Sequence, residues 1–426
     1  MLLFQSRLLL EFPVHGFDRR FIGAHTALGE LPAVILCPLS PQNLAIILHD
    51  DNRYVQSESI SIDHYSSILG GMGGVCYFAP STQNGNQFTV PMPTSRIFST
   101  RSSRIFLAAL TLMSLSSVVV GSGIGLVNFT PANWLEAFSN PDSPLGELLW
   151  RLRLPRALAA WTVGAMLSVS GCLMQVLLRN PLADPYILGV SGGSAFFVLL
   201  GITVGMASPT LPFLALAGAL VSIILVFGLA RGSGPWSGTR LLLTGVVTAA
   251  GWAALISLLL ATGNDSSLRG MLFWLMGDLS YVSVSLWSAV LLVTVFVAAL
   301  SMSRSLNVLS MGETSAMLLG ESVQRLLWLV YLMASLLTAA AVSIAGSIGF
   351  VGLIVPHLMR LLLGSDHRIL LPASALFGGL FLVLSDTLAR TLLAPRQLPV
   401  GVITALLGVP LFLLLLNRAR LRVRES

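Results

Sequence analysis

The sequence predicts an all-α integral membrane protein of about ten transmembrane helices. Two observations carry this. From residue 101 onward the chain is a near-continuous series of apolar stretches, each about 18 to 22 residues long, the length that crosses a bilayer as a helix. Composition agrees: 55 % of residues are hydrophobic and 10 % charged, with a mean hydropathy of +0.84, whereas a soluble domain carries about 25 % charged residues. No water reaches a backbone amide in the hydrocarbon, so each stretch must satisfy its hydrogen bonds within itself.

Residues 1–100 come first and differ in kind. They hold polar runs at 57–64 and 81–87, and the apolar run 33–48 is interrupted by Pro38 and Pro41. Arg7 within the opening apolar run makes a poor secretory signal. The expectation is an N-terminal extension without fixed fold, or a start assigned upstream of a true one at Met72 or Met92. A cytosolic accessory region is the other reading. Residues 101–426 form the transmembrane domain.

Ten candidate spans follow, at 105–127, 157–178, 187–204, 211–230, 241–261, 284–300, 326–344, 348–363, 371–388 and 400–416. His357 and Arg360 shorten the apolar part of the eighth. Small residues recur inside the spans, among them Gly164, Ser168, Gly171, Gly245, Ala249 and Gly251. They let helix backbones approach closely where no hydrophobic force draws the helices together. With an even span count both termini share a side. That side collects Arg101, Arg104, Arg179, Arg231, Arg240, Arg304, Arg325, Arg360, Arg368, Arg418, Arg420, Arg422 and Arg424. The other holds Arg151, Arg153, Arg156, Arg269, Arg390 and Arg396. The arginine excess places both termini in the cytoplasm.

All 24 basic residues are arginine, and the chain has no lysine. A P-loop needs a lysine on the phosphates and a Schiff-base enzyme needs a lysine amine, so a Walker-type ATP site in this chain is excluded. No serine or cysteine nucleophile has a recognisable base nearby, and no catalytic residue is assigned. The net charge of +6 is spread over loop ends rather than gathered in a patch, which argues against nucleic acid. Cys37, Cys76 and Cys172 lack metal-ligand spacing. No metal or cofactor held by this chain is expected.

Four segments go beyond hydropathy: Arg153-Leu-Pro-Arg156; Arg179-Asn-Pro-Leu-Ala-Asp-Pro185 leading into Leu188-Gly-Val-Ser-Gly-Gly193; Gly349-Phe-Val-Gly-Leu-Ile-Val-Pro-His-Leu-Met-Arg360 followed by Asp366-His-Arg368; and Leu398-Pro-Val-Gly-Val-Ile-Thr-Ala405. In this order and spacing the chain resembles the permease subunits of bacterial iron-siderophore, haem and cobalamin ABC importers. The resemblance runs from about residue 101 to the last span, and residues 1–100 have no counterpart in it.

The resemblance implies a type II ABC importer permease fold in the bacterial inner membrane, working as a homodimer or a paralogous heterodimer. Two cytosolic ATPase subunits, which carry the ATP and Mg, would dock beneath it. A periplasmic substrate-binding protein would deliver the chelate from above, a ferric siderophore being the commonest cargo. The connection between the sixth and seventh spans would be the ATPase-docking element, with Leu309, Met311, Gly312, Glu313, Ala316, Met317, Leu318 and Gly320 as its residues. It reads as two short helices joined at Gly312, or else as an amphipathic helix lying on the membrane. Arg153, Arg156 and Arg390 match positions that dock the binding protein in cobalamin-type members, since arginine binds carboxylates through a planar fork. Interfacial snorkelling, or for Arg390 a pair with Asp386 at i−4, is the bland reading. Spans five and ten would line the pore, with the 265–278 region capping its mouth. The rival class is an ion-gradient-driven secondary transporter, which needs ionisable groups near the midplane; only Asp386 and Arg390 approach that depth.

Overall fold

The computed structural model describes residues 33–40, 43–50, 53–61, 100–125, 129–230, 238–280 and 286–424. The chain divides into two units, Met1–Val90 and Pro91–Ser426.

In the first unit, β1 (Ala33–Ser40), β2 (Asn43–Asp50) and β3 (Arg53–Ser61) form an antiparallel sheet in the order β1-β2-β3. Ala33 lies opposite His49 and Asp50 opposite Arg53, and the β2–β3 register shifts between Ala45 and Ile46. The two-residue connections match what antiparallel neighbours need.

The second unit is all-helical among the described residues. Its helices are α1 (Thr100–Gly123), α2 (Pro131–Ser139), α3 (Leu154–Leu177), α4 (Val190–Thr203), α5 (Leu211–Ala230), α6 (Gly238–Thr262) and α7 (Asp265–Leu275). There follow α8 (Leu286–Ser301), α9 (Ser303–Ser310), α10 (Glu313–Leu318), α11 (Val323–Ala345), α12 (Val351–Leu363), α13 (His367–Thr391) and α14 (Val400–Arg424). Each of the ten expected spans falls on one helix: α1, α3, α4, α5, α6, α8, α11, α12, α13 and α14. Six of them are by themselves long and apolar enough to cross a membrane. α8 reaches that length only together with α9, after a 63° bend, and α4, α12 and residues 400–415 of α14 are shorter apolar helices.

α3 is the hub. Twenty of its residues, Arg156 through Leu177 with gaps only at Leu158 and Trp161, are buried, because α1, α11, α12 and α13 all pack on it. Its small residues make this possible. A Cβ on Gly164 would collide with the Gly378 carbonyl of α13, and one on Gly171 with the Gly352 carbonyl of α12. Polar side chains add interhelical ties: Ser170 Oγ donates to Ala334 O of α11 at 2.7 Å, and Trp161 Nε1 donates to Ser114 Oγ of α1 at 2.7 Å. Such bonds contribute about 0.6 kcal/mol each in a membrane, so close backbone packing carries most of the cohesion.

Candidate functional site

One end of the bundle is organised by the Arg153-Leu-Pro-Arg156 segment. Pro155 has no N–H and crowds the carbonyl one turn back, and a short helical turn at Pro144–Glu147 widens into a π-helical turn over Leu148–Arg153 before α3 begins. This geometry turns Arg153 and Arg156 inward. Arg156 donates from Nε and Nη2 to Asp386 of α13 at 2.8 to 3.1 Å, and from Nη1 to Gln397 Oε1 at 2.8 Å. Arg390 approaches the same carboxylate from its own helix. Its Nε lies 3.0 Å from Asp386 Oδ2, an ion pair at a distance without the alignment of a hydrogen bond, and its Nη2 donates to Gly121 O of α1 at 2.9 Å. Asp386 is 1 % exposed. Arg153 donates to the Ser122 and Gly123 carbonyls at 3.4 and 3.2 Å and lies 4.9 Å from the Phe129 ring centre.

The three arginines singled out in the sequence therefore converge at one end of the bundle, but Arg153 and Arg156 are buried and Arg390 is half-buried. Arg153 and Arg156 are each 8 % exposed. Their guanidiniums close α1, α3 and α13 onto one another. The i−4 pair read from the sequence for Arg390 is present, and the partner that sequence spacing could not show is Arg156, 230 positions before Asp386. Arg151, paired with Glu147 at 3.4 Å, is exposed, as is Arg396.

Beside this end, an open pocket of about 610 Å³ is lined by Leu275 at the end of α7, Met276, Ser347, Gly401, Ala405 and Pro410, among others, with no charged residue. Gly401 is required by a close approach: a Cβ there would strike the Met276 carbonyl. Gly346 has φ +69°, and a Cβ on it would meet the Trp274 carbonyl. The end of α7 is thus seated directly on the end of α11 and the start of α14. Tyr186, in the connection between α3 and α4, accepts a hydrogen bond on its hydroxyl from Ile348 N at 3.2 Å. In that connection burial pushes the Asp184 carboxyl up to about 6, against the lowering effect of the Tyr186 N–H it accepts from.

At the opposite end, α9 and α10 are the two expected short helices, joined through Gly312 at φ +120°, a conformation open to glycine alone. Met311, Met317 and Leu318 are 61 %, 59 % and 84 % exposed. Leu309 and Ala316 differ from the docking expectation: both are buried and hold the element against the bundle, so they offer no surface to a partner. Gly320, at φ +82°, ends the turn after α10. Glu313 pairs with Arg179 at 2.8 Å. Asn307 of α9 was missed by the sequence reading. Its amide donates to Asp366 Oδ1 at 2.9 Å, and its carbonyl oxygen accepts from His367 N at 2.9 Å, tying α9 to the start of α13. The available signal was the Asp366-His-Arg368 segment, which has the form of a helix start.

The model of the FecCD transport family matches residues 98–418 of this chain. The chain is 37 % identical over 320 residues to the vitamin B12 import system permease protein BtuC of Citrobacter koseri, covering 74 % of this chain and 94 % of that protein. It is 42 % identical over 291 residues to the hemin transport system permease protein HmuU of Yersinia pestis, covering 66 % and 87 %. A solved structure described as an inward-facing conformation of a metal-chelate type ABC transporter superposes with a TM-score of 0.66 at 35 % identity, covering 74 % of this chain and 99 % of that one.

Proposed function

The chain belongs to the FecCD transport family, and from that premise we propose that it is the membrane conduit through which a ferric siderophore is imported. At the coarser level it is a multi-pass inner-membrane permease subunit of an ABC importer for iron chelates, haem or cobalamin. Such permeases work with a separate ATPase, a binding protein and a second permease subunit. The observation that supports the conduit is the open, uncharged pocket at the end of α7; the siderophore is chosen as the commonest cargo of such importers. A wall without fixed charge holds a bulky chelate weakly and lets it leave, and selectivity then rests with the binding protein.

In this reading the ATPase docks on Met311, Met317 and Leu318, laid in a groove as an apolar helix face. Both termini lie in the cytoplasm. The binding protein meets the end where Arg153, Arg156 and Arg390 gather, and the buried excess of positive charge there favours carboxylates on its approaching lobes. Asp386 is the one carboxylate within the described spanning helices, and two arginines engage it. That leaves an ion-gradient mechanism without a free midplane acid.

Reconstitution into liposomes with the ATPase and binding protein tests the proposal. ATP-dependent uptake of a ferric hydroxamate in preference to haemin and cyanocobalamin is expected. Uptake by this chain alone on an ion gradient, indifferent to ATP, would defeat the importer reading; preference for haemin or cyanocobalamin would defeat only the siderophore assignment. Residues 1–97 lie outside the family match.

A further inference from the structure

The end of α3 carries an arginine where the backbone asks for glycine. Asn180 N donates to Gln175 O at 3.1 Å and Arg179 N to Val176 O at 3.2 Å. These are the paired bonds of a Schellman cap, whose left-handed position favours glycine. Arg179 occupies that position at φ 49°. It is one of two non-glycine residues with positive φ among the described residues, the other being Phe350 at the start of α12. A backbone outlier of this kind persists only where its surroundings hold it, and it marks a position under a second constraint.

That second constraint is visible. Arg179 Nη2 reaches Glu313 Oε1 at 2.8 Å, 134 positions along the chain, at the start of α10. The two side chains are 48 % and 28 % exposed. An ion pair this open adds little to stability, so stability does not account for an arginine on a strained backbone. What the pair does is fix a place. α10 is six residues long, and Ala316 is its one buried residue among those described. The Arg179 fork joins it to the last turn of the hub helix. Beyond the cap, Gln175 Nε2 donates to Leu353 O at 3.2 Å, joining that same last turn to α12. Asn307 makes the parallel tie from α9 to α13. α3 and α13 are themselves locked by the Gly164–Gly378 approach and by Arg156–Asp386.

We propose that Arg179 is a positioning residue for transport: it holds α10 in register with the end of α3, so that movement of a docked ATPase passes into α3 and α13 together. The proposal rests on the ABC importer reading. Its prediction is that breaking the pair separates ATP hydrolysis from transport without loosening the fold.

The test uses the permease copurified with its ATPase, reconstituted with the binding protein, and reads the amount of chelate moved per ATP hydrolysed. The probes are ferric hydroxamate, haemin and cyanocobalamin, of which the one carried by the unmodified complex is used. Arg179→Gly removes the guanidinium and relaxes the left-handed backbone. It is expected to keep or raise the thermal midpoint, to retain the ATPase, and to lower the transport-to-hydrolysis ratio severalfold. An unchanged ratio would overturn the proposal. So would a fallen midpoint with loss of the ATPase, which would make Arg179 an ordinary cap. Arg179→Glu combined with Glu313→Arg should recover the ratio lost by either reversal alone, and no recovery counts against the pair. If the unmodified complex transports without ATP, the importer reading fails along with the proposal; if it couples normally and Arg179→Gly does too, only the latch fails.

Discussion

The two ends of the bundle use their arginines in opposite ways. At the proposed outer end Arg153, Arg156 and Arg390 are turned inward, onto backbone carbonyls and the buried Asp386. At the inner end Arg179 stands half exposed on Glu313, and Met311, Met317 and Leu318 are uncovered. The same residue type braces helices in one place and aligns a surface element in the other. Burial decides which. An arginine surrounded by protein must find an anion or carbonyls at close range, because leaving it unpaired there costs several kcal/mol. An arginine in water gains about 1 kcal/mol or less from its partner, so its partner is chosen for geometry.

The largest test of that contrast is Asp386→Ala, which leaves Arg156 and Arg390 facing each other without their carboxylate. A loss of about 3–5 kcal/mol is expected, read as collapse of the thermal transition in detergent. Retention of the wild-type midpoint would mean that the outer network is not a structural brace. Next comes Gly171→Ala, which forces α3 off the Gly352 carbonyl. Overpacking of this kind costs about 1–3 kcal/mol, and a midpoint equal to wild type would show that the helix contact yields.

A smaller effect belongs to Asp184. Its folded-state carboxyl is raised to about 6, so the folded protein holds a proton that the unfolded chain has already released between its ordinary acidic value and that point. Stability is therefore lost as pH rises through this window and is level above it. Asp184→Asn removes the titration, so the difference between wild type and variant should move by a few degrees from pH 4 to pH 7 in thermal scans. A difference that stays constant with pH would contradict the shift. At the far end of the scale, Leu318→Glu is expected to leave stability within about 0.5 kcal/mol, as exposed positions do. It should nevertheless weaken ATPase retention by about tenfold or more in a pull-down, the loss typical of a central apolar contact. Undiminished retention would remove α10 from the docking surface.

Much of this is legible in the sequence. The ten spans could be placed to within a few residues because hydrocarbon leaves a helix as the only way for a single stretch to satisfy its amides. The break between α9 and α10 could be placed at Gly312, and the i−4 relation of Arg390 to Asp386 is a property of one helix. The roles of the arginines were harder to read. Sequence spacing gave Arg153 and Arg156 a shared location and no partners, since Ser122, Gly123 and Asp386 lie on other helices. Leu309 and Ala316 fell in the expected docking segment, and only their packing shows that they face inward.

The chain by itself determined its class, its span order, the absence of a lysine-based ATP site and the small residues that permit close helices. These follow from local composition and from the solvent the helices must live in. The tertiary structure decided that Asp386 is shared by two arginines, that Asn307 ties α9 to α13, and that Arg179 sits in a glycine conformation to meet Glu313. Apart from the Arg390–Asp386 pair within one helix, those contacts join residues 59 to 230 positions apart, and what brings them together is the packing of helices, which no local pattern encodes.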